Sequence, residues 1–98
     1  MYHLDHLLAL LTTEKAQELE FRVGSPPLMI SEEERHLLQG PPISEEEAMR
    51  LLRSVASSRE MRKLRDRGKV QFVYTMPNRS AFLIRAEMAQ QNVVFYIS

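Results

Sequence analysis

Gln17-Glu18-Leu19-Glu20-Phe21-Arg22-Val23-Gly24-Ser25-Pro26-Pro27 decides how this chain folds. Leu19, Phe21 and Val23 fall on one side and Glu18, Glu20 and Arg22 on the other, the period-two pattern of a strand with one buried face. Gly24 frees the backbone and two prolines without N–H groups follow it, so the strand ends there and the chain turns back. Before this strand, Leu4, Leu7, Leu8 and Leu11 recur at i, i+3, i+4 and i+7. That spacing predicts a helix over residues 2–14 with one apolar stripe, its end weakened by Thr12 and Thr13.

Beyond the turn, Leu28-Met29-Ile30 and Arg35-His36-Leu37-Leu38 form two short strands around an acidic hairpin, Glu32-Glu33-Glu34. Gly40-Pro41-Pro42 is a connector. Ser44 with Glu47 reads as a capping box, serine accepting the N3 amide and glutamate reaching back to the cap amide. Glu45, Glu46 and Glu47 also suit the positive end of the helix dipole. The buried stripe of this second helix is Ala48, Leu51, Leu52 and Val55. Ser57 with Glu60 repeats the capping box and opens a third helix, held by Met61 and Leu64 and ending near Gly68.

Three strands complete the domain. Val70, Phe72, Tyr74 and Met76 line one face of the first, and Pro77-Asn78 turns the chain. Phe82, Ile84, Ala86 and Met88 line the second, with Leu83 and Arg85 opposite. After the polar turn Ala89-Gln90-Gln91-Asn92, Val93, Phe95 and Ile97 line the third. The Met and aromatic positions of these strands follow the strand period and read as core. The expected fold class is α+β: an antiparallel sheet of about five to six strands with three helices packed on one face.

Residues 1–98 are enough for one domain with its own core and too few for two lobes. The chain has no cysteine, which excludes disulfides and thiolate metal sites and fits a reducing compartment. No wholly apolar run is longer than Leu7 to Leu11, against the roughly 20 residues that span a bilayer. Met1-Tyr2-His3-Leu4-Asp5 lacks the basic start of a secretory signal, so a cytoplasmic protein without membrane insertion is expected. Net charge is zero, but residues 1–47 hold ten acidic and three basic side chains, and residues 48–98 hold ten basic and three acidic. A fold that keeps these halves apart is dipolar and suited to electrostatic docking or head-to-tail contact.

The third helix and its exit concentrate cations: Arg59, Arg62, Lys63, Arg65, Arg67 and Lys69. Arg59, Arg62 and Arg65 lie three apart and line up as a ridge for an acidic partner or a phosphate. The helix carries neither groove-reading polar side chains nor stacking aromatics, which disfavours nucleic acid. The plain alternative is a solvated helix face. His3, Asp5 and His6 at the start of the first helix read as surface residues rather than a metal site. His36 has no neighbouring serine, cysteine or paired carboxylate from which a nucleophile–base unit could be built. None of Gly24, Gly40 and Gly68 lies in a Gly-x-x-x-x-Gly-Lys-Ser/Thr loop, so no nucleotide hydrolase can be read from these residues.

The strand and Gly-x-Pro-Pro turn over Ala16 to Leu28 resemble the opening of the N-terminal domain of PilT-like type IV pilus retraction and type II secretion ATPases. Gly68-Lys69-Val70-Gln71-Phe72-Val73-Tyr74-Thr75-Met76-Pro77, running on to Ala81-Phe82-Leu83-Ile84, falls where that family has Gly-Glu-x-Asp-Phe-Ser-Tyr and Arg-Phe-Arg-Val segments. Scaffold positions are kept: Leu19, Gly24, Pro26, Pro27, Gly68, Phe72, Tyr74, Pro77 and Phe82. The resemblance places the family's phosphate-facing arginine segment on Ala81, Phe82, Leu83, Ile84 and Arg85, and its later Gln-Arg-Gly or Asn-Arg-Gly on Gln90-Gln91-Asn92. The family's basic groups are missing there.

The resemblance implies a PAS-like arrangement and a chain that stops at Ile97-Ser98, before the ATP-hydrolysing core. The expectation is a non-catalytic protein-interaction or regulatory module of pilus or motility machinery, without a cofactor and without ATP hydrolysis or specific ATP binding. Its partner would be a motor ATPase, a machine component or a polarity regulator, with Arg59, Arg62, Lys63, Arg65 and Arg67 as the protein-binding residues. The alternatives are a PAS-like small-ligand sensor, disfavoured by a continuously apolar core, and an accessory nucleic-acid binder.

Overall fold

The four leucines at helical spacing all lie buried on one side of α1 (Leu4–Thr13). In the computed structural model, which describes residues 2–32 and 34–98, α1 is followed by β1 (Glu18–Arg22), β2 (Leu28–Ile30) and β3 (Arg35–Leu37). Then come α2 (Glu45–Arg53), α3 (Ser58–Arg67), β4 (Lys69–Thr75), β5 (Ala81–Ala89) and β6 (Asn92–Ile97). Glu33 in the acidic hairpin lies outside the described residues, as does Met1. The strands form one six-stranded sheet of order β3-β2-β1-β6-β5-β4, every pair antiparallel. The fold is α+β.

Alternation sorts each strand into two faces. Phe21 of β1 is opposite Phe95 of β6; their rings stack at 4.5 Å with planes 7° apart, and both are fully buried. Leu19, Ile97, Ile84 and Phe72 continue the same layer through direct cross-strand registration. The helices cover this layer with Leu4, Leu7, Leu8, Leu11, Ala48, Leu51, Leu52 and Leu64, which join it in one buried cluster. Burying a leucine or phenylalanine removes apolar surface from water for about 1.5–3 kcal/mol each, so this layer holds the domain together. Glu18, Glu20, Arg22, Arg85, Tyr96 and Gln71 share the opposite face.

β1, β2 and β3 form one side of the sheet, while β4 and β5 with the cationic α3 packed against them form the other. Five inter-strand gaps of ~4.8 Å separate the outer strands by about 24 Å.

Several local expectations are corrected. Ser44 Oγ accepts the Glu47 N–H at 3.1 Å, but Glu47 does not reach back. Its carboxylate instead accepts the Tyr2 N–H at 2.8 Å and an Arg50 N–H at 3.3 Å, because α1's lead-in is docked beside α2. Arg50 also donates to the Tyr2 carbonyl at 2.8 Å. The Tyr2 hydroxyl donates to the Pro41 carbonyl at 2.6 Å, and burial, then nearby Glu47, raise its pKa above the usual value. Val55 lies past the end of α2 and is half-buried. Met88 has core parity but is 43% exposed, toward the end of β5 beyond the last buried position, Ala86. The β5–β6 connection tightens to Gln90 and Gln91, whose φ angles of 52° and 76° match the double left-handed turn that follows strand twist.

Candidate functional site

Capping chemistry sets the position of α3. Ser57 Oγ accepts the Glu60 N–H at 3.2 Å and Glu60 Oε1 accepts the Ser57 N–H at 2.8 Å, closing the box. Gly68 stops the helix in the left-handed conformation, φ 79°, its N–H bonded to the Leu64 carbonyl at 2.8 Å. Between these caps only Leu64 is buried, with Met61 half-buried. A ten-residue helix held by so little apolar surface presents most of its charged side chains to solvent. Arg65 and Arg67 in its last turn also face the negative end of the dipole.

The cations of α3 divide between two concavities. On one side, α2 and α3 enclose a groove of about 610 Å³ with Met49, Ala56 and Met61 along it and Arg53, Arg62 and Arg65 beside them. The three apolar residues are half-buried and the three arginines exposed. Arg65 has one neighbour of opposite charge, Asp66 at 3.1 Å, in an exposed pair; Arg53 and Arg62 make no ion pair among the described residues. Methionine is unbranched and polarisable, which lets such a floor adapt to an apolar side chain from a partner.

On the other side, Lys63 and Arg67 join Lys69, Arg85, Glu87 and Tyr96 around a cleft of about 680 Å³. Arg85 is fixed there: it donates to Glu18 at 2.6 Å and lies 5.0 Å from the Tyr96 ring centroid. The ridge expected from the sequence is thus resolved into separate surfaces. Arg62 and Arg65 share the α2–α3 groove, Lys63 and Arg67 share the cleft by β4, and Arg59 is exposed and lines neither.

Sequence reasoning overlooked Arg53, which lines the same groove as Arg62 and Arg65. It also overlooked the meeting of Arg85 with Tyr96 and Glu18, which depends on register across three strands. His3 and His6 stand edge to face at 5.4 Å. No group of three or more His, Asp or Glu side chains converges for a metal ion among the described residues. His36 pairs with Glu34 at 2.6 Å on the exposed hairpin. No helix among the described residues is long and apolar enough to cross a membrane.

The chain matches no protein-family model and no curated protein. Solved structures do match. The pilus retraction motor PilT, crystallised with bound ADP, superposes with a TM-score of 0.88 at 18% identity, over 99% of this chain and 29% of that one. The Legionella pneumophila ATPase DotB superposes with a TM-score of 0.77 at 15% identity, over 96% of this chain and 28% of that one. The chain thus spans less than a third of the length of either ATPase, as an N-terminal domain of such a protein would. At these identities the likeness establishes the fold, which is the fold that the resemblance drawn from Gly24-Ser25-Pro26-Pro27 and the β4–β5 segments implied.

Proposed function

We propose that this domain is a non-catalytic protein-interaction module related to the N-terminal domain of pilus retraction and secretion ATPases, acting in pilus or secretion machinery. It docks an acidic partner surface in the groove between α2 and α3. The observation that carries the reading is the groove itself: a half-buried floor of Met49, Ala56 and Met61 flanked by Arg53, Arg62 and Arg65. An apolar floor gives affinity and a charged rim gives orientation and faster association. Arg59 extends the cationic surface toward the start of α3, and Lys63 and Arg67 raise its potential from the far side.

Two sequence features support a role without catalysis. None of the three glycines forms a phosphate-cradling loop, and the positions that resemble the family's phosphate-facing arginines hold Ala81 and Leu83. The motor ATPase, another machine component and a polarity regulator remain the partner classes, and the cytoplasm the compartment, that this relationship suggests. A PAS-like ligand sensor is the second reading; the fully apolar buried cluster argues against it, since a ligand pocket needs convergent polar groups. Affinity purification from the native cell tests the proposal. Recovery of a pilus or secretion component by the parent domain, and its loss with Arg62→Glu/Arg65→Glu, is the expected result. Equal recovery by both baits contradicts it.

A further inference from the structure

The free edge of β4 carries a second recognition surface. The Met76 N–H bonds to the Ser80 carbonyl and the Met88 N–H to the Gly68 carbonyl, each at 2.8 Å. In an antiparallel pair the bonded positions alternate, so Val70, Phe72 and Tyr74 make the ladder with β5. Lys69, Gln71, Val73 and Thr75 then aim their N–H and C=O groups outward, and β4 is the last strand of the sheet. None of these four N–H groups has a hydrogen-bond partner among the described residues. The strand is seven residues long and has no proline. Val73 on it is 65% exposed.

Such edges template the pairing of another strand unless something covers them. Here the edge adjoins the cleft formed by Lys63, Arg67, Lys69, Gln71, Arg85 and Tyr96. Lys63, Arg67 and Lys69 have no carboxylate within ion-pair distance among the described residues, and against these cations and Arg85 the cleft lining holds one acidic residue, Glu87, opposite Lys69, so the start of β4 is a net positive site. Resting on the reading of this domain as a protein-binding module, we infer that β4 takes an extended acidic segment of a partner protein as a seventh strand.

The chemistry selects that occupant. The edge offers donors and acceptors in alternation, which a second backbone satisfies and a phosphate, being acceptor-rich, does not. The cations at one end call for carboxylates, and exposed Val73 at the other calls for an apolar side chain. On an added strand these two positions fall four residues apart on one face. This surface is distinct from the α2–α3 groove, and the two can be occupied independently.

The test is amide hydrogen exchange with a blocked peptide long enough to span β4, carrying a glutamate to lie by Lys69 and a valine four residues away on the same face to lie by Val73. Exchange at Lys69, Gln71, Val73 and Thr75 should slow at least tenfold on saturation, with Val70, Phe72 and Tyr74 unchanged. Lys63→Glu/Arg67→Glu should weaken binding at least tenfold. Val73→Pro, which removes an N–H that the ladder does not use, should abolish it. Absence of the alternating protection overturns the inference, as does binding indifferent to the charge reversal. Inorganic pyrophosphate that binds and displaces the peptide would make the cleft an anion site instead. The same protection without peptide, together with dimers in sedimentation, would make the occupant a second copy of this chain. Partner capture through Arg62 and Arg65 is read separately, so it can survive the failure of this test.

Discussion

At the scale of single residues, Gly40 shows how a connector dictates what can stand beside it. A Cβ there would lie 2.5 Å from the Tyr2 hydroxyl oxygen, and its φ is 143°. The tyrosine cannot move aside cheaply, because its hydroxyl bonds to Pro41 and its backbone is held by Glu47 and Arg50. Gly40→Ala should therefore destabilise the domain by about 1–3 kcal/mol, a loss that strained backbone and a steric clash commonly produce. Thermal or denaturant unfolding checks this; an unchanged midpoint would mean that Tyr2 is loosely held. Phe21, stacked on Phe95 and fully buried, sits where alanine should cost about 3–5 kcal/mol. Gly40's role was invisible in the sequence, since nothing local announces that Tyr2 reaches it. Phe21's role was plain from its place in the alternation.

At the scale of elements, legibility followed how local the governing interaction is. Helix α3 could be drawn from residue 57 to residue 68 because both ends are set by chemistry within four positions. At α2 the same motif was only half right, since Tyr2 and Arg50 compete for Glu47 from 45 and three residues away. The β2–β3 pair formed as the two expected short strands despite the glutamates between them, with Ser31 N–H bonded to the Glu34 carbonyl at 2.9 Å. The spacing of Arg59, Arg62 and Arg65 was legible in the sequence, but the apolar floor of Met49, Ala56 and Met61 beside Arg62 and Arg65, and the cleft by β4 that Lys63 and Arg67 line, were not, because tertiary packing sets them. Ser57→Ala should cost about 1 kcal/mol through loss of the cap. Its effect should concentrate on α3, speeding amide exchange in residues 58–67 before the rest of the domain opens. Uniform acceleration throughout the chain would show that α3 has no independent opening.

At the scale of the whole molecule, strand order puts the cationic α3, packed against β4 and β5, at the opposite end of the sheet from β2 and β3. Neither composition nor periodicity could decide this, because strand order determines which half of the chain lies where. On the proposed reading the cations of α3 steer acidic partners to that side, and screening over ~10 Å at 0.1 M salt should slow the encounter. The domain should release no phosphate from ATP and show no saturable heat at millimolar ATP with magnesium, a limit of about −4 kcal/mol. A low-micromolar dissociation constant would contradict the non-catalytic reading.

The most direct measurement of the central claim is partner affinity for the parent domain and for Arg62→Glu/Arg65→Glu at low and high salt. Circular dichroism should show both proteins folded, because exposed charges seldom contribute more than about 1 kcal/mol. The account predicts that the parent binds tightly at low salt, weakens as salt rises, and loses most of its affinity on charge reversal. A folded double variant that binds as well as the parent at low salt would contradict docking in the α2–α3 groove.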